Sequence, residues 1–250
     1  MADYVKAPVF EKINGLFHGF FFRTGGVSVP PFDSLNISFD VCDKESDVVK
    51  NRKIVLNEFG FDKMISVNQV HGVSHYIPKP LEGVYGEHLS KKKDADIIIT
   101  DNPGQLLLIK TADCQPVLIA DPLKKVCAAV HCGWKGLISN VVIRAIDIMI
   151  EKYGCVPKDM AAAIGPSLGA CCAEFVNYRK EIPESLWKYR VGEYNFDLKE
   201  ISKQHLIKTG LEEKNIWIDE NCTKCRQDLY FSYRNNKITG RQASVIGWKF

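Results

Sequence analysis

Two apolar runs constrain the fold of this chain more than any other feature. Residues 116–120 and 126–130 lie within TADCQPVLIADPLKKVCAAVHCGWKG, Thr111 to Gly136, and are separated by the break Asp121-Pro122. Short apolar runs bounded by a turn signal read as the two strands of a hairpin. Both runs are apolar throughout, so the hairpin looks buried. Each run also ends at a chemically unusual place. Cys114 follows Thr111-Ala112-Asp113, and His131 precedes Cys132-Gly133-Trp134-Lys135-Gly136.

The rest of the chain supplies strands and helices in an irregular order. Residues 16–22 form an aromatic, strand-like run that ends in the turn signal Arg23-Thr24-Gly25-Gly26. Residues 40–59 show helical spacing through Val48, Val49, Ile54, Val55 and Phe59. Ile97-Ile98-Ile99 and residues 106–110 read as strands around the turn Asp101-Asn102-Pro103-Gly104. Residues 137–153 predict an amphipathic helix with Val141, Ala145, Ile148 and Met149 on one side and Gly154 as its cap. Residues 161–164 and 243–248 are further strands. Strands and helices that alternate without regularity favour an α+β fold with mixed sheets over a doubly wound parallel sheet. A length of 250 residues fits one domain, 1–250, with a sizeable core.

Composition narrows the function classes. A net charge of +3 is too small to argue for nucleic acid, and no stretch is long and apolar enough to span a membrane. The N-terminus lacks the basic start and apolar core of a signal peptide, which predicts a cytoplasmic protein. Nine cysteines, an odd number without a secretion signal, argue against a disulfide framework.

Among the six histidines, His71 lies in Asn68-Gln69-Val70-His71-Gly72, and His131 ends an apolar strand. Strand ends hold a side chain rigidly while the loop opens it to solvent. With Cys114, these histidines complete the protein part of a three-ligand zinc site that keeps one position open. Local spacing alone leaves other readings standing. Cys114 also suits a small buried apolar role, His131 a satisfied polar one, and His75 stands as near as His71. Cys222-Thr223-Lys224-Cys225 is a CxxC, but a zinc ribbon needs a second such pair and Cys171-Cys172 is not one. The turn at Arg23 suits an anion through its guanidinium and backbone N–H groups, or a turn alone. Walker loops, a GxGxxG opening a helix, and His-x-His pairs are all absent from the sequence.

Taken together in order, these motifs resemble the YfiH-like family, also called the laccase-domain or multicopper polyphenol oxidase family. The matching segments include His18-Gly19-Phe20 through Ser28, Ser34-Leu35-Asn36, Asn51-Arg52, Gln69-Val70-His71-Gly72 and Asp94-Ala95-Asp96. They continue with Thr111 to Val117, His131 to Gly136, Ile164-Gly165-Pro166 through Glu174, Phe231-Ser232-Tyr233-Arg234 and Thr239-Gly240-Arg241. The chain departs from the family pattern at Lys135, where Arg is usual, at Ala173, where an aromatic is usual, and at Asn235, where a second Arg is usual. Cys225 has no counterpart in that pattern, which makes the CxxC look incidental.

The resemblance implies a layered α/β/β/α sandwich related to the catalytic domain of cytotoxic necrotizing factor toxins. It implies a zinc-dependent enzyme that phosphorolyses purine nucleosides, methylthioadenosine among them, and deaminates adenosine. Its metal triad falls on His71, Cys114 and His131. Arg23, Lys135 and Arg241 are candidate phosphate ligands, Asn36 a further substrate contact, and Asp113 a proton shuttle or an anchor behind Cys114. Two rivals are a metal-free cysteine hydrolase or deamidase with a Cys114–His131 dyad, and a copper-dependent polyphenol oxidase, which would need more histidine ligands.

Overall fold

In the computed structural model, which describes residues 2–80 and 93–249, the aromatic N-terminal run pairs with the chain's first residues. Strand β1 (Tyr4–Val5) lies antiparallel to β2 (Leu16–Phe21). Helix α1 (Glu45–Phe59) follows, then β3 (Lys63–Ile65), β4 (His75–Tyr76), β5 (Ile97–Thr100) and β6 (Gln105–Thr111). The expected hairpin is β7 (Gln115–Asp121) and β8 (Val126–Cys132), paired antiparallel with Val117 opposite Val130 and Ile119 opposite Ala128. Helices α2 (Trp134–Ile138) and α3 (Val141–Tyr153), strand β9 (Ala161–Ile164) and the short helix α4 (Tyr178–Glu181) come next. A two-stranded ribbon of β10 (Arg190–Val191) and β11 (Asn195–Phe196), helix α5 (Leu198–Lys208), and strands β12 (Ile216–Ile218) and β13 (Gln242–Trp248) complete the order.

The strands assemble into mixed sheets, as the irregular alternation predicts. One sheet has the order β1-β2-β13-β6-β3, antiparallel except for β3 on β6. The other has the order β12-β9-β7-β8-β5-β4, with parallel pairs only at its two edges. Period-two alternation divides the hairpin between two apolar clusters. Val117, Ile119, Ala128 and Val130 pack with Val141, Ala145, Ile148 and Met149 of α3 and with Ile201 and Leu206 of α5. Leu118, Ala120, Cys127 and Ala129 pack with Phe20, Leu107, Ile109 and Ile246 of the first sheet. That sheet's other face, with Phe21, Leu106, Leu108 and Val245, buries Val55, Leu56 and Phe59 of α1. At about 1.5–3 kcal/mol for each large apolar side chain buried, these seams are rigid supports for whatever projects from the strand ends.

Two helix boundaries differ from the sequence reading. The segment 137–153 is broken at Asn140, whose φ of 63° is left-handed, so α2 and α3 are separate helices. Asn tolerates that conformation better than most side chains. Gly154 caps α3 as expected, donating to Ile150 and Met149 carbonyls. At the other site, α1 starts at Glu45 rather than Asp40, because Phe39–Val41 makes a 3-10 turn and Cys42 (φ 64°) redirects the chain. That turn leaves Asp40 free of the helix and able to face the candidate site. His18 of the opening matched segment is a core acceptor: its Nε2 takes the Ala7 N–H at 2.8 Å. Burial, with the charge of Lys6, lowers its pKa to about 4.

Candidate metal site and cavity

The connection from β6 to β7 crosses from one sheet to the other, and Cys114 is its last residue. Asp113 makes the crossing with a left-handed φ of 92°. His131 comes from the end of β8, and His71 from a turn where its own φ is 63°. The ligand atoms of His71, Cys114 and His131 all lie within 4.8 Å of one another, with Cys114 Sγ 3.9 Å from His71 Nε2. The two imidazoles meet edge to face, centroids 4.8 Å apart. The three side chains that the sequence pointed to do meet, and they can hold a metal ion together. His75 is on strand β4 and outside this group, and His88 lies outside the described residues.

Asp96 organises the site, and the sequence reading gave it no role. It is fully buried, just ahead of β5. His131 Nδ1 lies 2.7 Å from its Oδ1. The backbone N–H groups of Val70, His71 and Gly72 donate to the same carboxylate at 3.3, 3.0 and 2.7 Å. One acid therefore orients the ring of one histidine and the turn that carries the other. A carboxylate on the far nitrogen of a histidine is the usual outer partner of a metal-ligating imidazole. Burial alone would raise the Asp96 carboxyl, but the hydrogen bonds from His131 and the Gly72 and His71 N–H groups hold it below its ordinary value. The available signal was a lone acid directly before the apolar run Ile97-Ile98-Ile99, inside the matched Asp94-Ala95-Asp96.

The same balance acts on the cysteine. Burial would raise the Cys114 thiol, yet His131 and His71 bring it down to about 6. His131, which burial would lower, is pushed up to about 9 by Cys114 and Asp96. Both shifts favour a thiolate beside an imidazolium. With a metal bound, the ion takes the place of the shared proton, since the thiolate is the metal-ligating form.

The ligand side chains line a cavity of about 430 Å³, within the range of small-molecule sites. Its other polar residues are Ser38, Asp40, Asn68, Gln69, Lys110, Thr111, Tyr233 and Arg241. Gln69 fixes the His71 turn to β6, donating to the Lys110 carbonyl at 2.7 Å and accepting from its N–H at 2.9 Å. Lys110 Nζ reaches Asp40 Oδ2 at 3.0 Å. Arg241 Nη1 donates to the carbonyls of Thr239 and Gly240 at 2.8 and 2.9 Å, and its guanidinium lies 5.7 Å from the Tyr233 ring centre.

Of the residues read from the sequence as substrate contacts, only Arg241 lines this cavity. The others lie outside its lining. Arg23 is held elsewhere: Nε donates to the Asp33 carbonyl at 2.8 Å, Nη2 pairs with the Asp33 carboxylate at 3.2 Å, and the guanidinium covers the Phe231 ring. Asn36 is fully buried; its amide donates to Asp43 and Ser38 and its oxygen accepts from the N–H groups of Ser38 and Arg241. Asn36 therefore sets the backbone of Arg241. Lys135 is exposed on α2, with its ammonium 5.6 Å from the Trp134 ring centre. Asp113 turns away from Cys114: its oxygens accept from Thr223 Oγ1 at 2.7 Å and from the Arg234 N–H. Those bonds fit the anchor role.

Gly133 explains the glycine in His131-Cys132-Gly133. A Cβ there would lie 2.7 Å from His71 Cδ2 and 3.2 Å from Cys114 Sγ. Gly133→Ala is expected to displace the His71 ring, lowering metal affinity by about 10–100-fold, the range seen when ligand orientation is lost. Competition with a chromophoric chelator reads it; unchanged affinity would show that His71 is not held against Gly133.

The chain matches the family model described as multi-copper polyphenol oxidoreductase laccase over residues 17–249, and it belongs to that family. It is 32% identical to the purine nucleoside phosphorylase YlmD of Bacillus subtilis (strain 168), covering 92% of this chain and 88% of that one. It is 31% identical to the purine nucleoside phosphorylase YfiH of Escherichia coli (strain K12), covering 90% of each. The crystal structure of YlmD from Geobacillus stearothermophilus superposes with a TM-score of 0.89 at 29% identity, over 98% of this chain and 94% of that one.

Proposed function

We propose that this member of the family is a zinc-dependent purine nucleoside phosphorylase that also cleaves methylthioadenosine and deaminates adenosine. The observation that carries the reading is the pairing, in one cavity, of the His71–Cys114–His131 group with the cation Arg241. The relatives' names supply the reaction class. Inorganic phosphate attacks C1′ of the nucleoside, the glycosidic bond breaks, and its electron pair leaves with the purine. Positive charge gathers on the sugar and negative charge on the base, so the site must hold an anion and receive another.

The donor set fits zinc. A thiolate and two imidazoles are ordinary zinc ligands, and the 3.9 Å between Cys114 Sγ and His71 Nε2 is close to the roughly 3.6 Å expected of two ligands on one tetrahedral ion. Held by His71, Cys114 and His131, zinc would supply a Lewis acid at the cavity. Asp96 keeps the proton on His131 Nδ1, which frees Nε2 as a donor. Arg241 binds phosphate with the part of its fork not held by Thr239 and Gly240. Tyr233, 46% exposed, offers a face for the purine. Lys110 and Asp40 form an ion pair on the same wall, which leaves Arg241 as the cation offered to phosphate.

Arg241→Ala is expected to slow phosphate-dependent base release from inosine by about ten- to hundredfold, the scale of a lost charge-assisted hydrogen bond. Arg23→Ala should change that rate less than about threefold while lowering thermal stability, because its partners are Asp33 and Gln227. Chromatography of free base with and without phosphate separates the two. Equal losses in both variants would move the phosphate site out of this cavity. Adenosine deamination consumes no phosphate and should fall less in Arg241→Ala.

The metal-free dyad remains the second reading, because the neighbouring imidazoles of His131 and His71 lower the Cys114 thiol. His71 speaks for zinc: a dyad has no use for a second imidazole on the sulfur. A copper oxidase is supported less, since no fourth ligand joins the group among the described residues. The same reading takes the three apolar clusters as the seams of an α/β/β/α sandwich related to the cytotoxic necrotizing factor catalytic domain. It also places the chain in the cytoplasm, in keeping with nine free cysteines; among the described residues no helix is long and apolar enough to cross a membrane.

A further inference from the structure

Four cysteines that the cavity does not use come together on the loops that follow β9 and β12. The Sγ atoms of Cys171, Cys172, Cys222 and Cys225 all lie within 4.8 Å of one another. Cys225 Sγ is 3.6 Å from both Cys171 Sγ and Cys172 Sγ. A disulfide needs about 2.05 Å. Two thiolates on one tetrahedral zinc, each at about 2.3 Å from the ion, stand about 3.8 Å apart. The sulfurs are spaced as ligands of a common ion.

The topology explains the convergence. β9 and β12 are parallel neighbours, so their following loops leave the sheet at the same end. Ser167 and Cys222 form an isolated bridge, and the Thr223 N–H donates to the Ser167 carbonyl at 3.1 Å. Gly169 lets the backbone approach the sulfurs: a Cβ there would lie 3.0 Å from Cys222 Cβ and 3.4 Å from Cys171 Sγ. The Cys225 N–H donates to the Cys222 carbonyl at 3.1 Å, which closes the CxxC into a turn. Burial cannot be the reason for the cluster, because Cys171 and Cys225 are exposed and only Cys222 is buried. Packing as a small hydrophobe is a property of buried cysteine. The CxxC that looked incidental has its second pair in the vicinal cysteines.

We propose that Cys171, Cys172, Cys222 and Cys225 bind a zinc ion as four thiolates, a closed site separate from the cavity. Four thiols lose four protons and gain one dication; no oxidant or reductant takes part. A full set of four sulfurs leaves no open position, so the site is structural. It ties the β9 loop to the β12 loop at a point that matters for the cavity. Thr223, between the two cysteines of the CxxC, donates to Asp113 at 2.7 Å, and Asp113 immediately precedes Cys114. The tetrathiolate ion thus braces the backbone that carries a ligand of the first site.

The test uses the full chain, purified without chelators or added metal. Zinc X-ray absorption on the unaltered protein is expected to show about 2.5 sulfurs per zinc, the mean of a one-sulfur and a four-sulfur site. About one sulfur per zinc would overturn the proposal. Should the cavity hold no zinc, the spectrum would show about four sulfurs on a single ion, so failure of the functional reading and failure of this one are distinguishable. Elemental analysis is the second arm. Cys114→Ser should keep about one zinc and, reloaded with cobalt, should give the visible bands of a tetrahedral thiolate complex. Cys225→Ser should lose one equivalent relative to the unaltered chain. Full retention of metal in Cys225→Ser, iron in place of zinc, or a disulfide among the four by mass spectrometry would each overturn it.

Discussion

Cys114→Ser is expected to fold, to lose the zinc of the cavity, and to release purine base from inosine about 10²–10³-fold more slowly than the unaltered chain. The magnitude is that of removing one strong electrostatic contributor to a transition state. The serine hydroxyl keeps the volume but is not a thiolate, and His71 and His131 alone make a poor three-ligand site. The substitution by itself does not separate zinc from a dyad, since a dyad also loses its nucleophile. His71→Ala and metal removal do separate them. Under the zinc reading, both reproduce the Cys114→Ser loss, and chelation exposes Cys114 to alkylation. Under the dyad reading, His71→Ala retains most of the activity, chelation leaves it intact, and iodoacetamide abolishes it from the start. Phosphate-dependent activity that survives complete zinc removal would refute the zinc assignment.

The parts of this molecule that were legible in the sequence are those where a period or a local break carries the information. The β7–β8 hairpin is visible because two apolar runs flank Asp121-Pro122, and the structure buries it on both faces. The meeting of Cys114 with His131 follows from their positions at the same end of that hairpin. His71 needed more, since nothing local distinguishes it from His75. Charged residues were less readable. Arg23, Lys135 and Arg241 stand in equally good motifs, yet Asp33 and Phe231 engage the first, the second is exposed beside Trp134, and only the third reaches the cavity. A motif records that a residue is required and not what it touches. Asn36 is required because it positions the Arg241 N–H. Cys171-Cys172 and Cys222-Cys225 could not be joined without the parallel pairing of β9 and β12, a contact between segments that strand periodicity does not specify.

Asp96 carries the other large prediction, and its substitutions separate orientation from ligation. The carboxylate accepts the His131 ring and three consecutive backbone N–H groups, Val70 to Gly72, while fully buried. Hydrogen bonds to a charged group contribute about 1.5–3 kcal/mol each, and leaving buried donors without an acceptor costs comparably. Asp96→Ala should therefore lower stability by about 3–5 kcal/mol, the scale of breaking a buried pair. Asp96→Asn keeps the shape, but its NH₂ group faces N–H donors, so it should fall between the alanine variant and the unaltered chain. Metal affinity should drop by about 10–100-fold in the Asn variant, because the His131 tautomer is no longer fixed. Urea unfolding in the presence of chelator is the decisive measurement. Asp96 holds the His71 turn whether or not an ion is bound, so the metal-free Asp96→Asn chain should still be less stable than the metal-free unaltered chain. Cys114→Ser, which leaves the Asp96 hydrogen bonds to the His71 turn in place, should show a smaller difference. If Asp96→Asn lowers stability only when zinc is present, the carboxylate acts through the ion alone and its assignment as the anchor of the turn fails.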